Sequence, residues 1–191
     1  MSFFYKKAHP LYKLRPYGWL ISIGVTVVIS ASVITYLKSS SSHHKPIPSS
    51  IVIDKIVVDK SNRTLQLVSQ GTVIRSYHIA LGGNPVGHKQ QEGDQRTPTG
   101  IYTLDYKNER SIAHRSIHIS YPNAADKARA KSLGVSPGGN IMIHGQMNGF
   151  GALGWLNQKR DWTDGCIAVT NAEMDEIMAT VILGTPIEIV E

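Results

Sequence analysis

Cysteine occurs once in the 191 residues, at Cys166. A single thiol excludes an intramolecular disulfide scaffold and a cysteine-based zinc cluster. Aromatic residues are sparse, at 7% of the chain, and the positive charge as a whole is not gathered into a stripe with them. The net charge of +6 comes partly from Lys6, Lys7, Lys13 and Arg15 and otherwise from scattered positions such as Lys127, Arg129 and Lys131. Nucleic-acid binding asks for a basic stripe with interleaved aromatics, so no nucleic-acid partner is expected. Scattered positive charge suits solvated surface or an anionic polymer. His114 and His118 stand four apart, but at an expected strand rather than on a helix, and no metal or other cofactor is expected. The glycine-rich residues 81–87 lack the lysine and the spacing of a phosphate loop. No internal repeat is visible.

Long apolar runs are absent with one exception. Residues 18–37, GWLISIGVTVVISASVITYL, carry no charge, and as a helix they would span about 30 Å, the thickness of a bilayer's hydrocarbon core. Basic residues precede the run and only Lys38 follows it closely. The positive-inside rule then puts residues 1–17 in the cytoplasm and everything beyond the run across the membrane. A cleaved signal peptide is the alternative; the length of the run and the lack of a small-x-small cleavage site favour an uncleaved anchor. Residues 38–50, rich in serine with two prolines, are expected to be a flexible linker.

From residue 51 the pattern becomes one of short strands. Residues 51–58, 64–68 and 72–80 are rich in β-formers and separated by turn residues, which predicts a β-meander. Further strands are expected at 101–104, 116–120, 141–143 and 186–190. A helix is expected over 123–133, closed by Gly134. A second, over 171–180, follows the capping box formed by Thr170 and Glu173. Many short strands with two modest helices predict a mainly β domain over 51–191, sandwich-like or barrel-like.

The chemistry-bearing stretch lies near the end. Cys166 sits between Gly165 and an apolar run, on an expected turn, which is a place for a nucleophile; its plainer reading is a small buried hydrophobe. A thiol near pKa 8.5 needs a base, and His144 at the exit of strand 141–143 is the candidate. The amides of Gly165 and Cys166 are candidate oxyanion donors. Asp164 is a candidate to orient a histidine, or else a turn residue serving its own backbone. His78, His114 and His118 read as satisfied surface or core histidines.

These residues resemble the catalytic core of the L,D-transpeptidases, the YkuD-type domain. Its signature is His-Gly after a short apolar strand, then Ser/Thr-x-Gly-Cys and an apolar residue. Here those are His144-Gly145 and Thr163-Asp164-Gly165-Cys166-Ile167. Arg96-Thr-Pro-Thr-Gly100 resembles a further family element, and the likeness covers about residues 51–190. It implies Cys166 and His144 as catalytic residues, with Gly145 and Gly165 shaping the site. Arg96, Asp164, Thr163, Trp162 and Asn148 are the candidate substrate-binding residues. The sequence departs from the family at Asp164, where many members carry a second histidine, and at Ala168, where many carry Arg or Asn. Arg96, Arg115, Asn148 and Asn171 are candidates to take over those roles.

The resemblance implies that Cys166 attacks a peptidoglycan stem peptide at its third residue, releases D-alanine and holds the stem as a thioester. An amine acceptor then resolves it, with His144 as base and then acid. The substrate partner is therefore peptidoglycan, and the location an inner-membrane anchor with the catalytic domain in the periplasm. Three alternatives stay open. One is a hydrolase with the same site, acting on stem peptides or on a lipoprotein attached to the wall. The second is a non-catalytic wall-binding domain. The third is a zinc peptidase using His118, His144 and Asp164.

Overall fold

The computed structural model describes residues 45–191. The basic segment 1–17, the apolar run 18–37 and the first part of the linker lie outside the described residues. Among the described residues no helix is long and apolar enough to cross a membrane. The end of the expected linker is not free: Ile47 packs against the core, and the Ile51 amide donates to Pro48 O at 3.0 Å.

The meander follows the expected order. β1 (Lys55–Asp59), β2 (Thr64–Ser69) and β3 (Thr72–His78) pair antiparallel in sequence. In β1 and β2 the alternating residues Ile56, Val58, Leu65 and Leu67 are wholly buried. That period of two is what fixes which face of each strand turns inward. Burying each such side chain contributes about 1.5–3 kcal/mol. β1 begins four residues later than the β-branched run suggested, at the first residue with a ladder partner, Lys55 opposite Val68.

β4 (Gly100–Ser111) is much longer than residues 101–104. Its first part pairs with β8 (Pro186–Val190) and the rest with β5 (His114–Ile119). Two register shifts in the β4–β5 pairing, between Leu104 and Lys107 and between Asn108 and Ser111, each place an extra residue on β4. Such bulges bend a strand. β6 (Met142–His144) pairs antiparallel with β5, and the two-residue β7 (Ile167–Ala168) pairs parallel with β6.

The strand order is β3-β2-β1-β8-β4-β5-β6-β7 in one eight-stranded mixed sheet. The mainly β class therefore stands, but a single open sheet replaces the two separate layers of a sandwich. One apolar cluster holds Ile56 and Leu65 from one half and Ile117, Ile143 and Ile167 from the other, so the sheet folds over a common core. Bridges Ala80–Ala168 and Gly82–Thr163 carry the chain leaving β3 across to β7. This close approach of the two sheet edges puts residues 80–83 beside the candidate nucleophile.

The helices form where the caps predicted. α1 (Ala124–Leu133) has Asn123 as N-cap, reciprocated by Asp126, and ends at Gly134 with φ 70. The stretch after β6 is not an open loop: a 3₁₀ turn (Gly151–Leu153) runs into a short helix, α2 (Gly154–Asn157). α3 (Asn171–Thr180) carries the Thr170–Glu173 capping box and lays Met174, Ile177 and Met178 on the core.

Candidate active site

β6 and β7 set the site. The parallel register pairs Ile143 with Ile167 and His144 with Ala168. Ile143 and Ile167 are wholly buried in the core. Successive side chains alternate faces, so Met142, His144 and Cys166 share the opposite face. Extended by one residue, the register puts Cys166 across from Met142, two pairs from His144 and next to it on that face. Cys166 is half-buried and His144 buried.

The turn that delivers Cys166 is held from within and from both sides. Thr163 Oγ1 accepts from the Gly165 amide at 3.2 Å and donates to Cys166 O at 2.8 Å. The Trp162 and Thr163 amides donate to Leu81 O, and the Gly83 amide donates to Thr163 O. Asp161 accepts from the Leu81 amide at 2.9 Å and pairs with Arg63 at 2.7 Å. Gly165 has φ +117, and a Cβ there would lie 2.6 Å from Arg96 O. A side chain at 165 is therefore barred by both backbone conformation and space. Because Thr163 engages the Gly165 amide, that amide is not free as an oxyanion donor, contrary to the expectation from sequence.

His144 is oriented differently from the expectation too. Its Nδ1 lies 2.6 Å from Gly145 O. A carbonyl can only accept, so Nδ1 carries the proton and Nε2 is the basic nitrogen. Asp164 does not orient it: Asp164 is exposed and accepts from Gln95 Nε2 at 3.3 Å. The His144 ring meets Trp162 edge-on, with centroids 5.5 Å apart. Gly145 lies where a Cβ would come within 2.9 Å of both Asn171 Oδ1 and His114 Cβ.

The other candidates divide. Asn148 is committed to the β4–β5 turn, accepting from the His114 amide at 3.0 Å and donating to Ser111 O at 3.1 Å. Arg115 pairs with Glu109 and Asp175, and Asn171 accepts from the Gln146 amide. Arg96 Nε and Trp162 Nε1 are buried donors without a hydrogen-bond partner among the described residues. They belong to segments in contact with the cysteine turn, and leaving each unpaired costs roughly 1–3 kcal/mol. A bound acceptor group would recover that cost. His118, His144 and Asp164 do not form a ligand set, and among the described residues no group of three or more His, Cys, Asp or Glu is placed to hold a metal ion.

Sequence reasoning missed the polar frame behind His144. Gln146 is wholly buried. Its Nε2 donates to Val169 O at 2.7 Å, and its Oε1 accepts from Asn157 at 3.0 Å. Gln158 Nε2 donates to Ala168 O at 2.8 Å. These bonds fasten β7 and α2 to the exit of β6. Nothing local in the sequence separates such glutamines from surface ones.

The electrostatics favour uncharged partners at rest. Burial raises the Cys166 thiol above its ordinary 9.0; the Asp164 charge adds to this, and the Met142 backbone and Lys89 oppose it. Burial lowers His144 below 6.5 against the opposing Gly145 carbonyl. As a donor the thiol makes a weak contact with Asn140 O at 3.6 Å. The free protein thus holds thiol and neutral imidazole, not a thiolate–imidazolium pair. Alkylation of the free protein by iodoacetamide should accelerate with pH to a midpoint above 9.0. The acid limb of kcat/KM should fall only below pH 6.5, where His144 gains a proton and can no longer accept one. An alkylation rate already level below pH 7 would refute the neutral pair.

The chain is similar to proteins of one family. The family model of the L,D-transpeptidase catalytic domain (YkuD) matches residues 53–189. YafK of Escherichia coli (strain K12) is 30% identical over 128 residues, which are 64% of this chain and 44% of YafK. The helical cell shape determining protein Pgp2 from Campylobacter jejuni is 25% identical with a TM-score of 0.52, over 72% of this chain and 47% of that one. Bd1075 of Bdellovibrio bacteriovorus has a TM-score of 0.53 at 23% identity, over 76% and 50% of the two chains. This chain therefore spans about half the length of these relatives. The family match runs from just ahead of β1 to the last strand and takes in both the His144–Gly145 exit and the Gly165–Cys166 turn; on that extent the chain belongs to the YkuD L,D-transpeptidase catalytic domain family.

Proposed function

We propose that this chain is an L,D-transpeptidase that forms a thioester with a peptidoglycan stem peptide at Cys166. The observation that carries the reading is the shared face of Cys166 and His144, two register pairs apart, with the His144 tautomer fixed by Gly145 O. In the first half-reaction Nε2 takes the thiol proton as sulfur attacks the carbonyl carbon. The C–N bond to D-alanine breaks, and the proton passes to the departing amine. A positioned acid–base group of this kind contributes roughly 10²–10⁴-fold. The unpartnered donors Arg96 Nε and Trp162 Nε1 supply places for stem carbonyl or carboxylate oxygens. In the second half-reaction an amine attacks the thioester and Cys166 is released as thiol.

The proposed setting is the periplasmic face of the inner membrane. Support comes from the sequence alone: the uncharged run 18–37 with basic residues ahead of it, a single span by length. A part in cell shape, the role in the name of Pgp2, would follow from changed wall crosslinks.

The test is to incubate the full chain in detergent with disaccharide-tetrapeptide and weigh the products. Crosslinked dimers that have lost one D-alanine, joined between two diaminopimelates, are expected. Tripeptide as the sole product, even with excess acceptor amine, would refute transfer in favour of hydrolysis. Cleavage of lipoprotein-linked muropeptide alone would point to detachment of wall-bound lipoprotein.

A further inference from the structure

The sheet face that carries Cys166 and His144 continues beyond them. β5 lies beside β6, with Ser116 opposite His144 and His118 opposite Met142. Ile117 and Ile119 of β5 are wholly buried in the core, so Ser116 and His118 stand on the catalytic face. One row across the strands therefore reads His118, Met142, Cys166. Neighbouring strands are about 4.8 Å apart, which puts His118 about 10 Å from Cys166 along that row.

His118 is built as an acid–base group. Its Nδ1 is 2.6 Å from Asp105 Oδ1, and its ring stacks on Tyr106 with centroids 4.7 Å apart and planes 13° from parallel. Asp105 and Tyr106 lie in the first irregularity of the β4–β5 pairing, between Leu104 and Lys107, which frees them from the ladder's strict alternation. The carboxylate fixes the proton on Nδ1 and the ring's orientation, leaving Nε2 as the accepting nitrogen, the geometry of a catalytic triad. The bond to Asp105 engages Nδ1 and leaves Nε2 out of it. The neutral-pair chemistry of Cys166 and His144 leaves this dyad unused.

Proton balance in the second half-reaction calls for such a group. The acceptor amine arrives as an ammonium, R–NH3+, and ends as an amide N–H. It loses two protons: one finishes on Cys166 as the C–S bond breaks, and the other must go to a second base. We propose that His118, oriented by Asp105, is that base: it takes the first proton from the acceptor ammonium, so that the neutral amine attacks the Cys166 thioester across Met142. His118 then returns the proton to solvent. The charges of the site sort the two substrates accordingly. The carboxylate of Asp105 and the basic nitrogen of His118 suit a cation. Arg96, whose Nε is buried without a partner among the described residues and whose backbone adjoins Gly165, suits a carboxylate of the donor stem.

The inference rests on the transpeptidase reading above, and the half-reactions separate the two. His118→Gln and Asp105→Asn should form the thioester and release D-alanine at the wild-type rate. Transfer to the stem amine should fall at least ~10-fold, shifting products from crosslinked dimer towards tripeptide. Hydroxylamine, an acceptor already neutral at the assay pH, should be acylated by both variants as fast as by the wild type. Equal loss of acylation and transfer would show a structural role and overturn the proposal, as would unchanged transfer to the stem amine. Should one variant fail to fold, the other gives the same readout, since His118→Gln removes the base and Asp105→Asn the carboxylate that orients it. A wild-type protein that forms the thioester and never transfers it would overturn the acceptor reading itself, before any variant is compared.

Discussion

Replacing Cys166 with alanine should abolish D-alanine release and crosslinking, by roughly 10⁴-fold or more, because the thioester has no other atom to form on. The fold should survive the change. Cys166 is half-buried just ahead of the short β7, and its thiol donates only weakly, to Asn140 O at 3.6 Å. A stability change under about 1 kcal/mol is expected, so the melting temperature should stay close to that of the wild type. Cys166→Ser should be nearly as inactive, since a hydroxyl is far harder to deprotonate by a histidine whose own basicity burial has reduced. His144→Ala should retain the nucleophile and lose at least ~10²-fold. Continued release of D-alanine by Cys166→Ala, followed by mass spectrometry of muropeptides, would remove the cysteine mechanism.

The largest structural effect is expected at Gly82. A Cβ there would lie 1.9 Å from Gln95 O, 2.8 Å from Gln95 C and 2.9 Å from the Gly165 amide nitrogen. All three are backbone atoms, which no rotamer change can move aside. Gly82→Ala must therefore push residue 95 and the cysteine turn away from the segment leaving β3. The cost should be about 3 kcal/mol or more, at the upper end for overpacking. A shift of the turn by about 1 Å is enough to cost on the order of 10²-fold in rate. Gly83→Ala is the control. Its nearest atom is the Gln95 side-chain Oε1 at 2.9 Å, which can swing out of the way. Thermal melts and D-alanine release on the two proteins compare them directly. Equal behaviour would mean that the close backbone packing around residue 82 does not hold the site.

The pair at the centre of the site was legible in the sequence because its signals are short. His144 ends an apolar run and precedes glycine; Cys166 is the lone thiol and follows glycine. The residues around the pair were not legible. Asn148 and Asp164 are polar loop residues near the motifs, and sequence alone makes them candidates for binding substrate or orienting His144. In the fold Asn148 spends both ends of its amide on the β4–β5 turn, and a main-chain carbonyl holds His144 instead of Asp164. His118 read as a satisfied histidine, and its pairing with Asp105 is real, but its place in the Cys166 row comes from a β5–β6 register that no local pattern encodes.

The sequence by itself determined what depends on neighbours along the chain. It set the alternation of β1 and β2, the Asn123 and Thr170 caps, the left-handed stop at Gly134 and the bounds of α3 and β8. Each is a preference of a residue's own backbone or of partners within a few positions. Only the tertiary structure decided that β8 lies between β1 and β4, that β6 and β7 run parallel, and that the chain after β3 closes on β7. Those pairings join segments up to some 130 residues apart (Lys55 and Glu188, in neighbouring strands, form an ion pair). They are selected by burying one common core rather than by local preference. The two residues of β7 have almost no strand signal of their own; they are a strand because β6 and the chain after β3 give their backbone partners, and it is this pairing that brings Cys166 onto the face of His144.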